Sequence, residues 1–576
     1  MSVVATTTTT TMPTASSFST AAELDDAVTT LRRTFYSGKT KSLAWRKWQL
    51  KQAWWMLEDN EERILAALES DLGRSDFESY MFDISLARQD ILEALEHIDE
   101  WTKDEYVPGA GFIYGTLGKS KVKKEPLGVA LIIGAWNFPI ALLLDPAFAA
   151  IAAGCCVLLK PSEMASATQD LLMELVPKYM DPEAVRIVAG GPEQMTKVLE
   201  YKFDHIFFTG SGKIARFITA AAAKHLTPTV LELGGQGPAI VTGTADVDLA
   251  AKRIAWAKFT NAGQICLSVN HVFVDPAVYD EFVARAGFWF DSFLAGAGEK
   301  QMTKIINDRN HARLKKMLEA SKGKITYAGK KPEGATEYTT DSYSSTKFNP
   351  TVVADVSMGD PLMAEELFGP ILPVIKADYK TAITEIKNLD HPLAIYIFSK
   401  SQKEVDEVIN TTISGGVTVN DTLVHYIVPN APFGGVGESG SGYYHGAYGF
   451  RCFTHLRTIV MPPTWIDKLL SFRYAPYTES DVAKVIVKKG SKGVGFKRGE
   501  TMADQERLSL HELLCSPLIK TVVRKTFRCA FFATALVAGL AAVDGLRGGG
   551  RSRLTLYLGF VYSNVLSKFD VKQALF

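Results

Sequence analysis

Five short apolar runs, each closing in small or polar residues, constrain this chain more than any other feature: "VALIIGAWN" from Val129, "CCVLLKPSE" from Cys155, "AVRIVAGG" from Ala184, "HIFFTGSGK" from His205 and "TVLELGGQGPAIV" from Thr229. Runs without polar alternation belong to strands covered on both faces, the habit of parallel sheets. Helix-like segments separate them, so the pattern predicts an α/β fold whose ligands lie beyond the carboxyl ends of the strands. Upstream, from residue 21 to about residue 105, apolar residues at three-to-four spacing predict helices, as in "LAWRKWQLKQAWWMLEDNEERILAALESDLGR". Between helices and strands, Gly-punctuated alternation near residues 108–125 predicts a β-ribbon. A second α/β unit begins near Leu231 and carries the strand-like "HVFVD", a polar loop over 330–347 and "EELFGPILPVI".

A chain of 576 residues exceeds what one core organises, so two or three domains are expected. Its 63 basic residues balance 63 acidic ones, which removes the broad basic field of a nucleic-acid binder. The six cysteines, at 155, 156, 266, 452, 515 and 529, form no C-x-x-C pair and no zinc spacing, so no metal is expected and reduced thiols in an intracellular setting are. The first twenty residues hold no Lys or Arg, lack the marks of a secretion signal or presequence, and read as a disordered Thr/Ser tail.

Cys266 stands apart from the other thiols, behind the small, flexible, polar approach "NAGQ". A cysteine nucleophile needs access for a carbonyl, donors for the oxyanion and a base. Glu232, before two glycines at a strand end, is the candidate base, and Asn137 of "GAWNFP" the candidate oxyanion donor. Each residue alone also fits a structural role: a core thiol, a helix-end charge, a turn former. In "FFTGSGKIAR" a Walker A loop fails, because Phe207 stands where its first glycine is required and Ile214 replaces its Ser or Thr, and a G-x-G-x-x-G loop is set aside as well. What remains is strand, Gly-Ser-Gly, helix, which can present N–H groups and a hydroxyl to a pyrophosphate.

Taken together, "GAWNFP", "KPSE", "FTGSGKIA", "LELGG", "NAGQIC", "EELFGP" and "PFGGVGESG" resemble the aldehyde dehydrogenase superfamily in order and spacing, over roughly residues 31–458. Within it the chain most resembles the class 3, fatty-aldehyde branch, through "KHLTPTVLELGG", "RYAPY" and the apolar C-terminus. The resemblance implies a Rossmann-type cofactor domain, an α/β catalytic domain, a bridging β-ribbon and an apolar C-terminal tail. Its implied boundaries are a Thr/Ser-rich tail (1–20), an NAD-binding domain with the ribbon (21–230), a catalytic domain (231–428), a return segment with a bridging strand (429–460), a linker with a basic segment (461–525) and a membrane-associating tail (526–576).

The same resemblance implies that Cys266 attacks the aldehyde, that Asn137 and the Cys266 N–H hold the oxyanion, and that Glu232 activates water against the thioester. Lys160 and Glu163 would contact the adenine ribose, Gly210 and Ser211 the pyrophosphate, Glu366 and Phe368 the nicotinamide ribose and its wall. NAD is the implied cofactor, with NADP open through Lys160. Ala215 departs from the family's Gly-Ser-x-x-x-Gly. The implied activity is oxidation of medium or long-chain aliphatic aldehydes to acids by a homodimer. A short-chain or semialdehyde dehydrogenase is the alternative; a cysteine hydrolase or a catalytically silent scaffold are the readings from other classes.

Toward the C-terminus, residues 484–499 carry six basic and no acidic residues, and fifteen uncharged residues lie between Arg528 and Asp544, followed by a second uncharged run over 554–566. A span needs about twenty apolar residues, so a short span, an interfacial hairpin and a docked helix all stand. The basic stretch suits an anionic cytosolic leaflet. A cytosol-facing membrane is expected, that of the endoplasmic reticulum, the outer mitochondrial membrane or a lipid droplet.

Overall fold

The computed structural model describes residues 18–297, 302–329, 347–486, 501–505 and 507. The Thr/Ser-rich start up to residue 17, most of the polar loop, most of the basic segment and the whole apolar tail lie outside the described residues. The chain divides into two compact units, Met1–Pro463 and Thr464–Phe576.

In the first unit, a six-stranded sheet runs in the order Gly440–Ser441, Thr229–Glu232, His205–Thr209, Val129–Ile133, Cys156–Lys160, Val185–Ile187. All its pairings are parallel except that of Gly440–Ser441 with Thr229–Glu232. Its three central strands are buried at every position, as their unbroken apolar runs require. A seven-stranded sheet follows, Lys324–Tyr327, Thr351–Ala354, Ile371–Lys376, His271–Val274, Pro238–Val241, Ala394–Phe398, Gly416–Val419, parallel but for the Lys324–Tyr327 edge. Helices Ala21–Ser37, Leu43–Asp59, Glu61–Leu72 and Ser85–Trp101 fill the N-terminal stretch. The first opens on a capping box, Thr20 with Glu23, and closes on left-handed Gly38.

Two details depart from the sequence reading. A boundary after Val230 cuts the strand Thr229–Glu232, which pairs Thr209 with Glu232; the chain changes sheet in the glycine-rich stretch before Pro238. The ribbon is shorter than its alternation implied. Gly111–Leu117 is helical, its exposed Phe112 and Tyr114 face no partner strand, and the Gly118 and Ser120 N–H groups bond back to Ile113 and Tyr114. Pairing starts at Lys121, where Lys121–Pro126 lies between Glu105–Tyr106 and Thr454–Ile459.

The second unit, in its described part, holds the turns Thr464–Leu469 and Ser471–Arg473 and the helix Glu479–Val485. Arg473 and the Tyr474 hydroxyl both bond Asp467, at 2.8 and 2.5 Å. Trp465, Leu469, Tyr477, Val482 and Val485 are exposed. Among the described residues no helix is long and apolar enough to cross a membrane.

Candidate active site

Four adjacent strands of the six-stranded sheet deliver the residues that follow them to one cleft. Asn137 lies in the loop after Val129–Ile133, Lys160 ends its strand, Gly210 and Ser211 follow His205–Thr209, and Glu232 ends Thr229–Glu232. Glu366 and Phe368 come from the loop before Ile371–Lys376, and Cys266 from the turn after helix Val247–Phe259. With Glu163, all nine residues singled out in the sequence line this one cavity of about 590 Å³. That is the expected place for a ligand in an α/β sheet.

The approach to Cys266 is fixed rather than flexible. Asn261, Ala262 and Gly263 all hold left-handed backbone, with φ of 50°, 52° and 68°. A Cβ on Gly263 would lie 2.4 Å from the Gly369 carbonyl oxygen, so only glycine fits. Arg74 locks this turn. Fully buried, it pairs with Asp83 at 2.6 Å, donates to Asn261 Oδ1 from Nε (3.1 Å) and Nη2 (2.7 Å), and donates to the Asn137 carbonyl. Asp83 in turn accepts the N–H groups of Ile140 and Ala141. The Asn137 amide donates to the Gln264 carbonyl at 3.1 Å, so the loop of the proposed oxyanion donor and the turn of the thiol brace each other. Arg74 and Asp83 carry no motif that marks them in the sequence. Charges within a helical run are ordinarily solvated, and only the tertiary fold buries this pair.

Burial, followed by the carboxyls of Glu366 and Glu232, pushes the Cys266 thiol up to about 12, against the pull of the Cys266 and Leu267 N–H groups. Glu232 is 3% exposed, neither of its oxygens has a hydrogen-bond partner, and burial holds its carboxyl well above the usual range. Burial also raises Glu366 to about 7, opposed by the Gly235 N–H, Arg313 and Lys258. Lys258, itself buried, is lowered to about 7 by burial, with Glu366 opposing. Burial therefore disfavours the charged form of both the Cys266 thiol and the Glu232 carboxyl.

The other half of the cleft suits a dinucleotide. Ser211 caps the twelve-residue helix Gly212–Ala223 without spending its hydroxyl on the cap, and no acidic residue occupies the first turn. Free N–H groups at a helix start favour an anion. Ala215, where the family has glycine, packs its methyl into the core, and the G-x-G-x-x-G loop set aside in the sequence reading is restored, because its third position falls on Ala215 and Gly210, Gly212 and Ala215 keep the G/A spacing. Lys160 donates to Glu163 at 2.5 Å, an amine and a carboxylate together, which matches the donors and acceptors of a ribose diol. Gly234 admits Glu366, since a Cβ there would lie 2.4 Å from its Oε1. Phe368, at φ 49°, stands edge-on to Trp136 at 5.3 Å and lines the cleft.

A second cavity of about 390 Å³ meets the first at Cys266. Met81, Phe82, Phe138, Trp256, Leu423 and Ile427 make it largely apolar, and no charged side chain lines it. A third, of about 640 Å³, lies against Lys324–Tyr327 at the edge of the other sheet and holds none of the nine residues. Among the described residues no cluster of His, Cys, Asp and Glu is placed to hold a metal.

A thiol between a dinucleotide cleft and an apolar cavity defines an NAD(P)-dependent oxidoreductase acting on aldehydes. The aldehyde dehydrogenase family model matches residues 1–459. The dimeric NADP-preferring aldehyde dehydrogenase of Rattus norvegicus is 38% identical over 459 residues, 79% of this chain and 98% of that one. Aldehyde dehydrogenase family 3 member A2 of the same species is 36% identical over 508 residues, 87% and 99% of the two chains. The substrate-bound state of AldH from Staphylococcus aureus superposes with a TM-score of 0.72 at 31% identity, over 78% of this chain and 99% of that one. The chain belongs to the aldehyde dehydrogenase family, and family 3 members are among its relatives.

Proposed function

We propose that this enzyme oxidises medium and long-chain aliphatic aldehydes to carboxylic acids with NAD, through a thioester on Cys266. The observation that carries this is the meeting of the two cavities at one thiol: a polar cleft on one side, an apolar one on the other. Burying an alkyl chain there gains about 0.8 kcal/mol per methylene. A semialdehyde would bring a second carboxylate, and the apolar cavity offers it no Lys or Arg.

Burial raises the affinity of Glu232 for a proton, which supports its role as the base. The Cys266 thiolate bonds the carbonyl carbon as the C=O electron pair moves to oxygen. The Asn137 amide and the Cys266 N–H hold that oxyanion. When bound, the nicotinamide supplies the acceptor for the hydride released as the carbonyl reforms. Glu232 then takes a proton from water, the water oxygen attacks the thioester, and the C–S bond breaks to release the acid. Lys160 and Glu163 would hold the adenine ribose, Ser211 with the Gly210 turn the pyrophosphate, and Glu366 the nicotinamide ribose. A carboxylate at the ribose favours NAD, while Lys160 keeps NADP usable.

A homodimer accords with the dimeric relative and is read from a sedimentation mass. The exposed apolar residues of the second unit, the basic segment and the uncharged runs support association with the cytosolic face of a membrane. In the test of the nucleophile, Cys266→Ser loses about a thousandfold or more in NADH formation while NAD still quenches tryptophan fluorescence as in the wild type. Retained turnover would remove Cys266 from the mechanism.

A further inference from the structure

Tyr426 belongs to two walls: that of the apolar cavity holding Cys266, and that of a polar chamber of about 60 Å³. Asp90, Glu93, Asp145 and His445 line this chamber, which reaches solvent at exposed Gln89 and Asn430. The same three carboxyls line an adjoining pocket of about 20 Å³ together with Tyr444. The Tyr426 and Tyr444 hydroxyls stand 3.4 Å apart. Asp145 is 3% exposed and its Oδ1 has no partner; Oε1 of Glu93 has none either. Buried carboxyls left unpaired are costly and call for a reason. Ion pairing is not that reason, because no Lys or Arg lines either pocket. Nor are these acids placed as metal ligands.

We propose that Tyr426, Tyr444, Asp145, Asp90 and Glu93 form a proton exit from the thiol site to solvent, used while cofactor and aldehyde fill the other two openings. The proposal rests on the dehydrogenase reading, in which the Cys266 thiol and the attacking water must both shed protons. Tyr426 lines the same apolar cavity as Cys266, and its hydroxyl stands within reach of that of Tyr444. Burial keeps both tyrosines protonated, so each passes a proton only by accepting one as it gives its own away. Burial, with Asp90 and Asp83 adding, holds Asp145 well above the usual carboxyl range, and burial with Glu93 raises Asp90 to about 7. Asp90 can therefore take up and release a proton near neutrality, beside an Asp145 that burial makes readier to hold one. His445 is pushed down to about 4 by burial and stays neutral beside them. The step is proton movement alone: an S–H or water O–H bond breaks at the site, each O–H along the route is replaced, and Glu93 yields a proton to solvent.

The test uses the intact enzyme with NAD and an aldehyde, following NADH by absorbance, for the wild type, Asp145→Asn and Tyr426→Phe. The second variant removes one oxygen and carries the test if the first fails to fold. Both are expected to lower kcat about tenfold with KM values held within about twofold. Their solvent deuterium isotope effect should rise, and added imidazole, a small diffusible proton carrier, should restore turnover that in the wild type does not respond to it. Variants that turn over like the wild type overturn the route, as do slow variants indifferent to both deuterium and imidazole. A wild type forming no NADH from any aldehyde would overturn the dehydrogenase reading, and the route with it; an active wild type beside indifferent variants overturns the route alone.

Discussion

The reactive forms of Cys266 and Glu232 are both deprotonated, and burial raises both groups. The sign follows: protonation silences the site at low pH, and kcat/KM is expected to climb through neutrality into the alkaline range. An acid limb ending near pH 4 to 5, where ordinary carboxylates titrate, would contradict this (about 4.3 for an unperturbed Glu). Glu232→Gln should keep a burst of NADH and then slow deacylation about a hundredfold, read by rapid mixing; a variant with neither burst nor slow steady state would displace Glu232 as the base. The nine cleft residues were legible because each sits in a short local motif, six at or beyond a strand end and three in the turns after Val247–Phe259 and before Ile371–Lys376. Arg74, Tyr426 and Asp145 were not, because their roles arise from segments far apart in the chain.

At the scale of elements, the parallel strands were readable from their unbroken apolar runs, and the helices ahead of them from their spacing. The ribbon was misjudged between Gly111 and Leu117, since alternation makes a strand only where a partner lies alongside, and Thr454–Ile459 reaches only from Lys121 to Pro126. Likewise "NAGQ" reads as pliable in sequence, yet three consecutive left-handed residues and the buried Arg74–Asp83 pair hold it still. Breaking that pair leaves a buried charge alone. Arg74→Met is therefore expected to destabilise the fold by about 3–5 kcal/mol, measured by urea denaturation, whereas Arg74→Lys should fold and lose kcat as Asn137 and the Asn261 turn drift. A stability loss under about 1 kcal/mol for the methionine variant would show the pair to be dispensable.

At the scale of the molecule, two sheets place a dinucleotide cleft and an apolar cavity on either side of one thiol, and the proposed substrate class rests on the second of these. The proposed membrane association of the C-terminal tail bears on the same question, because an enzyme so held would meet aldehydes that partition into lipid. The decisive measurement is kcat/KM for NADH formation with straight-chain aldehydes from short to long, in detergent, for the full chain and for one ending at Glu500. A rise with chain length is expected in both forms, since the apolar cavity lies in the first unit, with the tail adding capture of the longest substrates. A flat profile or a short-chain preference would contradict the lipid-aldehyde reading while leaving the family's chemistry in place.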